Sequence, residues 1–315
     1  MPQIQAVVPL TLAGNRLDQA AAALFTEYSR AKLSEWIKSG ELTVNGKTAR
    51  PRDGVAGGEK LLLDAELPVQ SADIAQEIAL DILYQDDTLI IINKPAGLVV
   101  HPGAGNADKT LVNALLHFDP SLRTLPRAGI VHRLDKDTTG CLVIARTLPA
   151  HTALVQALAE REVGREYEAI VQGLPVSGGL VDVPVERSHQ NRLKMSASES
   201  GKPAITHFRV HERFRSHALL RLKLETGRTH QIRVHMQYAG FPIAGDPLYA
   251  GRFRKPQGAT EALLATLAAF KRQALHAFRL TLTHPSTGGT VSVTAPRPAD
   301  FEAFLDVLDA DACEL

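Results

Sequence analysis

The segment Gly129-Ile130-Val131-His132-Arg133-Leu134-Asp135-Lys136-Asp137-Thr138-Thr139-Gly140 gathers two carboxylates, two bases and a histidine in a short polar run. It lies between an apolar entry, Ile130-Val131, and an apolar run at Leu142–Ala145. Loops held by a rigid sheet are where catalytic side chains collect. A positioned, ionised carboxylate there can serve as nucleophile or general base, and a nearby cation keeps it ionised. The same residues also make an ordinary charged turn with internal ion pairs, and local sequence does not choose between the two.

Rival chemistries fit less well. A glycosidase ordinarily needs two carboxylates flanking the bond it breaks, whereas Asp135 and Asp137 alternate along an extended chain and point opposite ways. Twelve histidines invite a metal hydrolase. His230 and His235, however, are read on a strand, five apart and on opposite faces, and no His-Glu-x-x-His motif is present. Two cysteines, Cys141 and Cys313, supply neither a disulfide framework nor a multi-cysteine metal site. Gly103-Ala104-Gly105 lacks the third glycine and following helix of a dinucleotide site. No metal and no organic cofactor is expected.

The elements that must position these residues fall into two groups. Leu17, Ala20, Ala21, Leu24 and Phe25 recur at helical spacing, Ser29 is a candidate N-cap for a second helix through Trp36 and Ile37, and Leu42-Thr43-Val44 enters a tight turn at Asn45-Gly46. This predicts a small first domain over residues 14–75. The acidic stretch Pro68–Asp87 reads as a linker. From residue 76 to 310 strand-like runs dominate: Leu89–Ile92, Leu142–Ala145, Tyr167–Val171, Ile205–Val210, Leu219–Leu224, Leu280–Thr283 and Thr290–Thr294. Helical stretches at 150–161 and 260–271 do not alternate regularly with them. The expected class is therefore α+β, with a mixed, largely antiparallel sheet.

Net charge is only +1, but it is unevenly spread. Residues 201–240 hold eight basic side chains against two acidic ones, while residues 64–88 hold seven acids and no base, as the tail from Asp300 holds six. Such segregation allows a basic binding surface on a near-neutral protein. No apolar run is long enough to span a membrane and the N-terminus lacks signal-peptide character, so a cytoplasmic protein is expected; a monomer is expected as a separate matter.

The polar loop resembles the His-Arg-Leu-Asp signature of the RluA family of ribosomal pseudouridine synthases. Further family motifs follow in order: Asn93-Lys94-Pro95-Ala96-Gly97, Arg165-Glu166-Tyr167-Glu168-Ala169, Gly227-Arg228-Thr229-His230-Gln231-Ile232-Arg233, Gly245-Asp246-Pro247-Leu248-Tyr249 and Leu275-His276-Ala277. The resemblance implies an enzyme isomerising uridines in large-subunit (23S) ribosomal RNA, met as a stem-loop or in an assembling 50S particle. It makes Asp135 the essential carboxylate, Arg233 its basic partner on a strand, and Tyr167 the aromatic that stacks on the uracil and takes part in proton transfer. Arg133 becomes the wedge that fills the stack when the base leaves, since flipping sacrifices a few kcal/mol of stacking and pairing. His132 is left as scaffolding, and Arg228 joins the RNA-binding set. The first domain resembles the RNA-binding domain named after small-subunit ribosomal protein S-four, through Arg16-Leu17-Asp18, Ser29-Arg30-Ala31 and Val44-Asn45-Gly46-Lys47. That likeness places Arg30, Lys32, Lys38 and Lys47 near the RNA backbone, where contacts position without specifying sequence. The competing reading is a non-catalytic RNA-binding or ribosome-assembly protein on the same fold; such a protein would lack the aspartate, tyrosine or arginine, and all three are present.

Overall fold

The structure is a computed structural model that describes residues 4–25, 30–64, 74–103, 105–191, 193–252 and 255–313. The chain divides into two compact units, Met1–Gln70 and Ser71–Leu315.

The first unit contains β1 (Ile4–Val7), α1 (Leu17–Leu24), α2 (Arg30–Ser39), β2 (Leu42–Val44) and β3 (Lys60–Leu63). The strands form an antiparallel sheet in the order β1-β3-β2. Leu17, Ala20 and Ala21 of α1 meet Leu33, Trp36 and Ile37 of α2 over Leu42, Leu61 and Leu63, the narrow apolar stripes that the spacing predicts. Asn45 and Gly46 both take positive φ, as a tight turn requires. The unit begins earlier than residue 14, because β1 pairs with the free edge of β3. The N-cap expected at Ser29, and the side chain of Lys32, lie outside the described residues.

The second unit contains β4 (Ile82–Gln85), β5 (Leu89–Lys94), α3 (Leu111–Phe118), β6 (Thr139–Ala145), α4 (Leu148–Ala159), β7 (Gly164–Gln172), β8 (Gly179–Asp182), β9 (Val185–Arg187), β10 (Met195–Ala197), β11 (Ile205–Arg213), β12 (His217–Leu224), α5 (Gln231–Tyr238), α6 (Glu261–Ala269), β13 (Leu275–Thr283), β14 (Thr290–Thr294) and α7 (Ala299–Cys313). One sheet runs β4-β5-β6-β13-β7-β12-β11-β8, with β14 beside β13. Among the described residues only β6 and β13 pair in parallel, so the sheet is mixed and largely antiparallel. β9 and β10 form a separate hairpin.

Along β5 and β6, Ile90, Ile92, Leu142 and Ile144 enter one core with α3, α5 and α7. Leu89, Ile91, Cys141 and Val143 enter a second core with α4 and β14. Both sheet faces are thus covered, which is why these strands read as unbroken apolar runs. Gly140 has φ 108°, and a Cβ there would lie 2.2 Å from the Ala277 carbonyl oxygen. The glycine lets β6 leave the polar loop and meet β13 closely.

Three expectations change. The acidic stretch before residue 87 is not all linker: β4 pairs with β5 inside it, and Gln76 N–H donates to Asn113 O while Asn113 Nδ2 donates to Ile74 O. Residues 74–76 therefore join the second unit. The acidic tail is α7, whose Phe301, Phe304, Leu305 and Leu308 are buried. Two of its acids are tied down: Asp300 accepts from Arg272 at 2.7 Å, and Asp311 pairs with Arg215 and accepts from Thr260 N–H. Finally, residues 231–238 are helix rather than strand, so Arg233 projects from the first turns of α5.

Candidate active site

Hydrogen bonds from several elements fix the loop before β6, among them Arg272 Nη1 to Asp137 O at 3.2 Å. The buried Lys94 closes β5 and donates Nζ to Pro95 O (2.7 Å), Leu98 O (3.0 Å) and Lys136 O (2.8 Å), joining two loops. Val143 N–H donates to His132 Nε2 at 3.0 Å. Thr138 N–H returns to Asp135 O at 3.1 Å, and Gln273 Nε2 donates to Thr138 Oγ1 at 3.0 Å. Burial, with a smaller push from Arg165, lowers the His132 pKa to about 3. His132 is therefore a neutral acceptor that pins the loop to β6.

Burial also lowers the Lys94 pKa to about 7, against the pull of Asp137 and Asp135. Three carbonyl acceptors use all three N–H groups of the ammonium form. Lys94→Met is expected to leave those carbonyls unsatisfied, costing about 2–3 kcal/mol and lowering Tm by roughly 5–10 °C. Turnover should fall with it, because the loop carrying Asp135 loses its anchor. Thermal melts and kinetics on the variant check this; an unchanged Tm would remove Lys94 as the anchor.

The loop delivers Asp135 to Arg233. Arg233 Nη1 donates to Asp135 Oδ2 at 3.0 Å, while Nε and Nη2 hold Asp246 Oδ2 and Oδ1 at 2.7 and 2.9 Å. Asp246 is itself oriented by the N–H groups of Leu248 and Tyr249. Burial works against the Arg233 charge, but the carboxylates of Asp246 and Asp135 outweigh it and raise the guanidinium pKa above its ordinary value. The guanidinium also lies 5.0 Å from the Tyr249 ring centroid. This is a fork-shaped cation gripping two carboxylates at once, a task suited to arginine and not to lysine.

His230 stands on the other side of Asp135, its Nε2 3.9 Å from Oδ1. Its backbone is left-handed (φ 55°) at the start of α5. The Tyr249 hydroxyl accepts from Met195 N–H at 2.8 Å and lies 2.8 Å from His230 Nδ1. The phenol keeps its own proton to offer to Nδ1, and in that arrangement the neutral imidazole carries its proton on Nε2, facing Asp135. Burial lowers the His230 pKa and favours that neutral form, despite the opposing charge of Asp135.

Tyr167, on β7, is 6 % exposed. Burial first, and then Asp135, push its phenol up to about 12. At neutral pH it can donate a proton but cannot act as a base, which narrows the proton transfer expected of it. Arg133 is exposed at the loop tip. Arg228 is exposed too, with Nε on Pro203 O at 3.2 Å. The structure thus brings Asp135, Tyr167 and Arg233 together and leaves Arg133 and Arg228 facing solvent.

In the first unit, Lys38 and Lys47 are exposed, but Arg30 grips the buried Asp18 through two bonds of 3.0 and 2.9 Å. The basic excess of residues 201–240 is also partly internal. Arg213 donates to Pro175 O and Val176 O, Arg221 pairs with Glu168, and Arg215 and Arg233 pair as above. Lys202, Arg209, Lys223 and Arg228 keep the surface positive. Sequence reasoning gave no role to Lys94, His230, Asp246 or Tyr249. All four sat within the quoted motifs, but their spacing carried no sign of contact with Asp135.

A family model described as RNA pseudouridylate synthase matches residues 88–238. A protein described as ribosomal large subunit pseudouridine synthase D from Xanthomonas campestris pv. campestris is 54% identical, covering 98% of this chain and 93% of the relative. Proteins so described from Pseudomonas aeruginosa (54% identical, 99% and 97% covered) and Escherichia coli (51% identical, 98% and 95% covered) are similar. The solved structure of human RNA pseudouridylate synthase domain containing 4 is 29% identical with a TM-score of 0.57, covering 73% of this chain and 93% of that one. With a family model matching its central part and relatives matching over nearly all its length, the chain belongs to the RNA pseudouridylate synthase family.

Proposed function

We propose that this protein isomerises specific uridines to pseudouridine in 23S, large-subunit ribosomal RNA, with Asp135 as the reacting carboxylate. The observation that supports it best is the Asp135–Arg233 pair beside Tyr167, in a chain so similar to proteins described as large-subunit synthases. The reaction breaks the bond from ribose carbon 1 to uracil nitrogen 1 and joins the same ribose carbon to uracil carbon 5. A proton leaves carbon 5 and nitrogen 1 gains one, so there is no net redox change and no group donor. Asp135 either attacks ribose carbon 1 or takes a ribose proton, and both routes need it as the carboxylate. Arg233 holds it at 3.0 Å, and the neutral His230 adds a dipole without a second full charge. Tyr167 stacks on the extruded uracil, and Arg133 enters the gap left behind.

The RNA is met as an exposed stem-loop, free or within an assembling 50S particle, since base edges are reachable in loops and not in A-form duplex. Catalysis by a monomer in the cytoplasm is consistent with this reading. Among the described residues, no helix is long and apolar enough to cross a membrane. Mapping pseudouridine in ribosomal RNA from cells with and without the protein tests the reading. Positions that lose the modification name the targets, and an unchanged large-subunit map sinks it.

The first unit acts as an S-four-like clamp on the RNA backbone, through the exposed Lys38 and Lys47. Replacing both by Gln is expected to raise KM without lowering kcat. If each meets one phosphate, the slope of log affinity against log salt falls by about 1.4–1.8. An unchanged slope would count against these lysines as backbone contacts.

A further inference from the structure

We propose that Arg165 is an anion site of the catalytic centre, which takes a backbone phosphate flanking the uridine being isomerised; this rests on the function proposed above. Arg165 is 7 % exposed and precedes Tyr167 by two residues on β7, so both side chains leave the same strand face. Arg165 is also close enough for its charge to act on both Tyr167 and His132. It stands where β7, the loop carrying Asp135 and the turn before α5 converge.

Among the described residues its charge has no counterion, Nη2 donates to Glu225 O at 3.1 Å, and the enclosed Nε has no partner at all. The other buried arginines each grip a carboxylate, Arg233 those of Asp246 and Asp135, and Arg272 that of Asp300. The Glu225 carboxylate is turned away to Arg161 and His207, at 2.6 and 2.7 Å. Keeping a guanidinium from water without a carboxylate weakens the free protein, an arrangement that functional sites tolerate when a ligand completes them. Gly227 bears on the same point. Its φ is not in the left-handed range, so backbone freedom does not demand glycine. A Cβ there would lie 2.6 Å from Arg165 Nη1, and the glycine leaves room for the guanidinium.

The missing partner must be an anion that arrives with the substrate. A uridine flipped onto Tyr167 brings its own phosphodiester with it, and a guanidinium meets phosphate oxygens through its planar fork. Arg165 then neutralises the backbone at the one nucleotide that must leave the stack, which helps to hold the extruded conformation.

The test uses the full chain and a stem-loop RNA containing a mapped target, with the linkage on either side of that uridine replaced in turn by an uncharged methylphosphonate. Wild type is expected to lose about 10- to 100-fold in kcat/KM at one of the two neutral linkages, the size of one charged hydrogen bond. Arg165→Met should lose as much on ordinary RNA and little more on that neutral linkage. Its Tm should be unchanged or higher, because an uncompensated buried charge has gone. Gly227→Ala keeps the charge but displaces it, and should show the same non-additivity. A lower Tm for Arg165→Met, with losses that multiply at both neutral linkages, would make Arg165 an ordinary structural residue and overturn the proposal. So would a wild type indifferent to either replacement. Failure of the functional reading shows separately, as absence of wild-type turnover on the unmodified stem-loop.

Discussion

Asp135→Asn is expected to abolish pseudouridine formation, with kcat reduced by at least about 10³-fold, while the protein folds and binds RNA normally. The amide matches the carboxylate in shape, so its oxygen can still accept from Arg233 Nη1. Arg233 in turn stays anchored by its two bonds to Asp246. What disappears is the negative charge, and with it the nucleophile or base. RNA affinity should stay within a few fold, because Arg133 and the exposed basic residues are untouched, and removing an acid from an RNA site only lessens repulsion. Release of tritium from RNA labelled at uracil carbon 5 measures turnover, and filter binding measures affinity. Full activity in this variant would sink the mechanism; a matched loss of binding would show Asp135 to be needed for docking as well as chemistry.

The part of the fold legible in the sequence was the part where one pattern acted alone. β5, β6 and β14 were readable because apolar runs or strict alternation had no competing signal. α7 was missed although Phe301, Phe304, Leu305 and Leu308 keep helical spacing, because six acids in the same stretch suggested a solvated tail. In fact Arg215 and Arg272 neutralise two of them from distant parts of the chain, which no local window can reveal. β4 was hidden in the same way, inside an acidic stretch whose strand is defined by its partner β5. The strand expected at α5 came with the resemblance and not from the pattern of its own residues. The helix is set instead by a left-handed His230 and by Gln231, whose side chain donates to Ile205 O and Thr206 Oγ1.

The site was legible to a different depth. Asp135, Tyr167 and Arg233 lie in motifs separated by 32 and 66 residues, so only resemblance could join them. The supporting residues were not singled out, since a carboxylate such as Asp246 looks the same in sequence whether it faces water or a buried guanidinium. Charge counting was the weakest guide. It marked residues 201–240 as a binding surface, yet four of the eight basic side chains there turn to internal acceptors.

Arg233→Lys is expected to fail although it conserves charge, which separates a geometric role for this residue from a purely electrostatic one. The guanidinium makes three directed bonds to two carboxylates. A single ammonium cannot reproduce that fork, so either Asp135 or Asp246 loses its grip, and kcat should fall about 10²- to 10³-fold. Arg233→Met goes further and leaves two acids facing each other, Asp246 with no solvent exposure. Breaking a buried pair by removing one partner costs about 3–5 kcal/mol. One of the two carboxyl groups should then take up a proton in the folded variant that it does not hold when unfolded at neutral pH. Folded Arg233→Met therefore binds more protons than its unfolded chain, so its stability relative to wild type declines as pH rises from about 4 toward 7. Melting curves across that range measure the effect. A constant Tm difference would mean that both carboxylates stay ionised without Arg233, and its place would then be to aim Asp135 rather than to keep it charged.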